Sequence, residues 1–95
     1  MTSTTMLTVF CYDVVDDKAR RRVARTLEDV AVRVQDSVFE AWMTAPQAAR
    51  VFRAAREHLH DGDSLRVYAV SGDGLKRSHS VGPAPLLPRE GYLIV

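Results

Sequence analysis

The residues best placed to do chemistry begin with Asp13, which follows Tyr12 at the end of an apolar run over residues 6–12. A carboxylate at the end of a buried strand is a candidate catalytic group and metal ligand. The alternative is a turn or helix-capping aspartate. One carboxylate per chain is a poor site for Mg²⁺ or another divalent cation, which takes several oxygen ligands. The metal reading therefore needs a second copy of Asp13, brought close across the axis of a two-fold dimer.

Arginine is the second source of chemistry. Eleven of the thirteen basic residues are Arg, and Arg20, Arg21, Arg22 and Arg25 fall within six positions. Arg50, Arg53 and Arg56 follow at three-residue spacing. A guanidinium stays charged at any relevant pH and pairs with phosphate through a planar fork. The plainer account is a solvated surface in an Arg-rich, Ala-rich composition. Arg33, Gln35, Ser37 and Phe39 alternate, so one continuous strand would set all four on one face, either a phosphate-binding face or a solvated one. His58, His60 and His79 lack metal-ligand spacing, and no Gly-rich phosphate loop is present.

These groups need elements to hold them. Residues 6–12 form a buried strand, and the Asp16-Asp17 pair caps a helix over about residues 18–30. Ala19, Val23, Leu27 and Val30 make its apolar stripe; Arg21, Arg22 and Arg25 point away from it and Arg20 lies on its flank. The β-branched and aromatic stretch 32–43 divides at Asp36 into strands 32–35 and 37–43, as a hairpin or one bulged strand. Thr44, Pro46 and Gln47 start a second helix with a capping box. Its apolar face is Ala48, Val51, Phe52, Ala55 and Leu59, and Gly62 ends it. Residues 65–70 alternate as a strand, 71–74 turn, and 75–81 are a weaker strand. Residues 82–91 hold three prolines and form a linker, and 92–95 are a short final strand. The order β-α-β-β-α-β predicts an α+β, ferredoxin-like sandwich with both helices on one sheet face and an extra C-terminal strand.

With 95 residues the chain is one domain, its core within 6–81. The apolar fraction of 46% argues against disorder, and a core this small gains from forming a homodimer. No run approaches a membrane span, and residues 1–5 lack the layout of a signal peptide, so a cytoplasmic protein without membrane contact is expected. A lone cysteine, Cys11, excludes an internal disulfide and a Cys-based zinc site; it is expected in the core, and Trp42 is expected to be packed.

Three segments together resemble the small CRISPR-associated endonuclease family Cas-two. The first is residues 9–23, an apolar strand, Tyr12-Asp13, an acidic turn and an Arg-bearing helix. The second is Arg33-Val34-Gln35-Asp36-Ser37-Val38-Phe39-Glu40, similar to the family's Arg-apolar-Gln-x-Ser-Val-Phe stretch. The third is Asp63-Ser64-Leu65-Arg66-Val67-Tyr68. The resemblance covers about residues 6–70; Asp36 stands where the family often has a less acidic residue.

The resemblance implies a ferredoxin-like homodimer whose terminal strand, here 92–95, crosses to the partner's sheet. It implies a place beside the CRISPR integrase subunit in spacer acquisition and antiviral defence. Asp13 carries over as metal ligand for Mg²⁺ or another divalent cation, with Tyr12, Arg20, Arg22, Arg33, Ser37 and Phe39 as contacts to RNA or DNA. Arg21 and Arg25 join that set from the charge pattern alone. Three functions stay open at this point. They are a metal-dependent endonuclease or endoribonuclease, a DNA-binding adaptor of the integrase that does not cut, and a toxin-type ribonuclease of the related VapD group. An RNA-recognition motif lacks its aromatic signature.

Overall fold

A computed structural model describes residues 4–88. Strand β1 (Met6–Asp13) alternates buried and part-exposed side chains along the centre of a four-stranded sheet. Helix α1 (Asp17–Glu28) follows, then β2 (Val32–Gln35), β3 (Val38–Met43), helix α2 (Ala45–Arg56), β4 (Ser64–Val70) and a short helix α3 (Gly72–Lys76). The strand order is β2-β3-β1-β4, with every neighbouring pair antiparallel. This is the expected ferredoxin-like arrangement. Among the described residues no helix is long and apolar enough to cross a membrane.

The main core lies between the sheet and both long helices. Phe10, Tyr12, Phe39, Ala41 and Met43 point from the sheet towards Ala19, Val23, Ala24 and Leu27 of α1 and Ala55 of α2. The register accounts for this face, since Phe10 lies opposite both Phe39 and Val67. Both helices start from side-chain caps. Asp16 accepts from the Ala19 amide at 2.8 Å. Thr44 and Gln47 close a reciprocal capping box.

The other sheet face is only partly covered. Leu7 and Trp42 are sealed by Leu87, and the Trp42 indole N–H donates to the Leu87 carbonyl at 3.2 Å. Within the described part of the proline-rich stretch expected as an extended linker, 82–88, Leu87 thus packs against the sheet. The prolines of this stretch have no N–H to give a strand ladder, so it packs by side chain without joining the sheet. Val9, Cys11 and Val38 stay half-buried on this face, with Tyr68 exposed beside them. Cys11 therefore lies outside the main core, contrary to expectation; the strand's alternation turns it away from the helices.

Three other expectations change. Residues 75–81 do not form a strand. Ser71 accepts from the Gly74 amide at 3.0 Å and nucleates α3, while Ser78 donates to the Gly74 carbonyl at 2.8 Å. Local capping by serine outweighs the weak alternation there. Helix α2 ends at Arg56, before Gly62. Gly62, with φ of 90°, instead serves a separate turn in which the Asp63 carboxylate accepts from the His60 amide at 2.9 Å. Third, Arg33, Gln35, Ser37 and Phe39 do not share a face. The register shifts between Arg33 and Gln35, so Arg33 pairs with Phe39 on the helix side and Gln35 pairs with Val38. The expected final strand 92–95 lies outside the described residues.

Glu40 stands half-buried on the second face, and burial holds its carboxyl above the ordinary 4.5. A carboxyl whose folded pKa exceeds its unfolded one stabilises the fold below the unfolded value, and loses that contribution as pH rises through the folded value. Glu40→Gln is therefore expected to raise stability near pH 7 and leave it unchanged near pH 3. Urea unfolding of both proteins across that range is the check; equal midpoints at pH 7 would show that the carboxylate stays hydrated.

Candidate nucleic-acid and metal site

Where β1 runs out towards α1, the β2–β3 turn closes over it and leaves a recess of about 430 Å³. Tyr12 and Asp13 from β1, Arg20 and Arg21 from α1, and Arg33 with Asp36 and Ser37 from the hairpin line it. Three arginines and two aspartates thus contribute to the lining of one concave site.

The hairpin turn is tied to the end of β1. The Tyr12 amide donates to the Ser37 carbonyl at 3.2 Å, and the Tyr12 hydroxyl donates to the Asp36 carbonyl at 3.3 Å. Burial pushes the Tyr12 hydroxyl above its ordinary pKa of 10.0, with Arg33 opposing, so the group stays a neutral donor. Phe39 lies beneath. Its ring stacks on Tyr12 with centroids 6.3 Å apart, and the Arg33 guanidinium carbon sits 5.0 Å from its centre. Cation–π contact of this kind orders the guanidinium on the floor of the recess.

Asp13 lies at the end of β1, opposite Ser64, with its side chain exposed. The cap of α1 is Asp16, so the capping alternative for Asp13 is removed. By register Asp13 belongs with Leu7, Val9 and Cys11 on the sheet face that the helices leave open. Among the described residues no group of three His, Cys, Asp or Glu side chains is gathered as a metal site. Asp13 and Asp36 in one chain do not by themselves fit a divalent cation.

The other expected contacts divide. Arg21, Arg33 and Ser37 line the recess, with Arg33 also paired to Glu28 at 3.3 Å. Arg20 also lines it but is engaged locally, donating to the Val14 and Val15 carbonyls at 3.3 and 3.2 Å and pairing with Asp17. Arg22 and Arg25 are exposed on α1 outside the recess. Phe39 is fully buried and supports the site from below, where a direct contact was expected. Three recess residues escaped the sequence reading as site members, Val14, Ala24 and Asp36. A small residue on the flank of the α1 stripe was the available signal for Ala24, since a larger side chain there would fill the recess.

A family model described as CRISPR associated protein Cas2 matches residues 6–77. A CRISPR-associated endoribonuclease Cas2 of Synechocystis sp. is 36% identical over 90 residues, covering 94% of this chain and 98% of its own length. Among solved structures, Streptococcus pyogenes Cas2 superposes with a TM-score of 0.67 at 28% identity, over 81% of this chain and 100% of its own. A chain of a partial Cas6-RT-Cas1–Cas2 complex does so with a TM-score of 0.68 at 28% identity, over 87% of this chain and 98% of its own.

Proposed function

The chain belongs to the CRISPR-associated Cas2 family, and on that premise we propose that it is a homodimeric nuclease-family subunit of CRISPR spacer acquisition, acting beside the integrase subunit on RNA or DNA. The observation that carries the chemistry is the recess lined by Arg21, Arg33 and Ser37 at the end of β1, where Asp13 also contributes to the lining. Relatives named endoribonuclease and a structural neighbour from a Cas1–Cas2 complex support the same reading.

The second subunit follows from the open sheet face. Val9, Cys11, Val38 and Tyr68 leave an apolar surface that a second copy can cover by two-fold packing. Asp13 lies at the end of that face, so the two-fold would bring two carboxylates together. With Asp13 from each subunit, Mg²⁺ or a similar cation would have a carboxylate pair as its protein ligands, the rest being water and phosphate oxygens. Such an ion would activate water and offset charge on the phosphate. This chain's own residues hold the backbone: Arg21 and Arg33 pair with phosphate oxygens and the Ser37 hydroxyl donates to them.

Exposed Arg22 and Arg25 extend the positive surface along α1, so binding is expected to follow charge more than sequence. The logarithm of affinity should fall linearly with the logarithm of salt concentration. Arg21, Arg22 and Arg25 changed together to Ala should flatten that slope by up to about three phosphate contacts, or roughly 2.7 slope units on duplex DNA. Fluorescence anisotropy at several salt concentrations measures it. An unchanged slope would make these arginines ordinary solvated surface and remove the α1 face from the binding site.

A further inference from the structure

Helix α2 and strand β4 leave a gap between them on the helix side of the sheet, towards the other end of β1 from the recess. Ala45, Ala49 and Phe52 lie along one stripe of α2, and Val67 and Ala69 face them from β4. The alanines are too short to close the space, and an apolar groove of about 400 Å³ stays open. Phe52 is only half-buried and Val67 is 37% exposed, so the protomer leaves apolar surface uncovered here.

The charge beside this groove has one sign. The charged residue among those lining it is Arg53. Arg50 and Arg56 stand on the same helix, whose twelve residues include no acid, and among the described residues none of the three is in an ion pair. Glu57 follows only at the helix C-cap. We propose that the groove is a docking site for an acidic amphipathic helix of a partner protein, its apolar face against Phe52 and Val67 and its carboxylates against Arg53.

Three physical points select this occupant. A helix satisfies its own backbone, so it can lie on a surface of side chains, and the alanine stripe lets its axis approach to about 8–10 Å from α2. Nucleic acid would answer the arginines but give the apolar floor nothing to bury. A second copy of this chain would bring Arg53 against Arg53 at a self-complementary contact, where like charges oppose association.

The test uses the full chain and a fluorescein-labelled synthetic helix of about 18 residues, with Leu at i, i+3, i+4 and i+7 and Glu on the flanks. A matched peptide carries Lys in place of Glu. Anisotropy titration should show the Glu peptide binding at least about tenfold more tightly than the Lys peptide. Arg53→Glu should weaken the Glu peptide by about tenfold or more and favour the Lys peptide. Ala49→Leu, a change at an exposed position, should fill the groove and weaken the Glu peptide while leaving the unfolding midpoint near that of the parent. Equal binding of both peptides, or no effect of Arg53→Glu, would overturn the proposal. So would binding that appears only after removal of residues 89–95, which would make the chain's own terminus the occupant. A loss of dimer mass in Ala49→Leu, read by sedimentation, would assign the groove to a second copy and overturn it likewise.

Discussion

Asp13→Asn is expected to fold, to dimerise and to bind nucleic acid like the parent, but to lose metal-dependent cleavage by about 100-fold or more. The substitution removes one negative charge per chain and nearly preserves shape. Asp13 is exposed at the end of β1, and the α1 cap belongs to Asp16, so no structural hydrogen bond in the helix start is lost. A dimer carries two such carboxylates, and their mutual repulsion is what a cation would relieve. Mg²⁺ should therefore raise the melting temperature of the parent and do so less for the variant. The measurement is cleavage of labelled RNA and DNA by protein of dimeric mass in light scattering, with and without Mg²⁺. Full activity in the asparagine variant would end the catalytic assignment. Equal binding with no cleavage by either protein would leave the adaptor function in its place, and a monomer at micromolar concentration would remove the paired-carboxylate site altogether.

Phe39→Ala should cost about 3–5 kcal/mol of stability, the largest single effect expected in the core. The ring is fully buried, opposite Phe10 in the sheet, stacked on Tyr12 and under the Arg33 guanidinium. Removing it opens a cavity where the recess and the core meet. For a domain of this size such a loss lowers the melting temperature by tens of degrees, on the order of 4–8 °C per kcal/mol. Phe39→Leu keeps most of the volume but not the aromatic face. It should stay folded while binding nucleic acid more weakly, because Arg33 loses the surface that orders it. Thermal and urea unfolding with anisotropy on the leucine variant separate the two roles. A loss below about 1 kcal/mol in Phe39→Ala would show that Tyr12 and Arg33 collapse into the space.

The sequence by itself determined the ferredoxin-like order and most of the framework. The stripe of Ala19, Val23 and Leu27 repeats at helical spacing, and the Thr44–Gln47 capping box is a local pattern whose hydrogen bonds form between near neighbours. It also picked out Asp13 and Arg21, because charge at the end of an apolar strand and arginine on the outer side of a helix are visible one residue at a time; Arg33 and Ser37 entered through the family resemblance and an alternation that the bulge breaks. What spacing could not reveal was the bulge between Arg33 and Gln35. One extra residue in the ladder turned Gln35 to the opposite face and let Phe39 drop under Arg33. It could not tell which of the adjacent Asp16 and Asp17 accepts the helix amide, which the structure gives to Asp16. Nor could it show that Leu87 returns to Trp42 across forty-five positions, or that alanines on α2 leave a groove beside β4. Each of these depends on which surfaces meet across the chain. That is settled by the packing of whole elements, where a side chain's partner is fixed by volume and hydrogen-bond satisfaction in three dimensions and not by its neighbours in sequence.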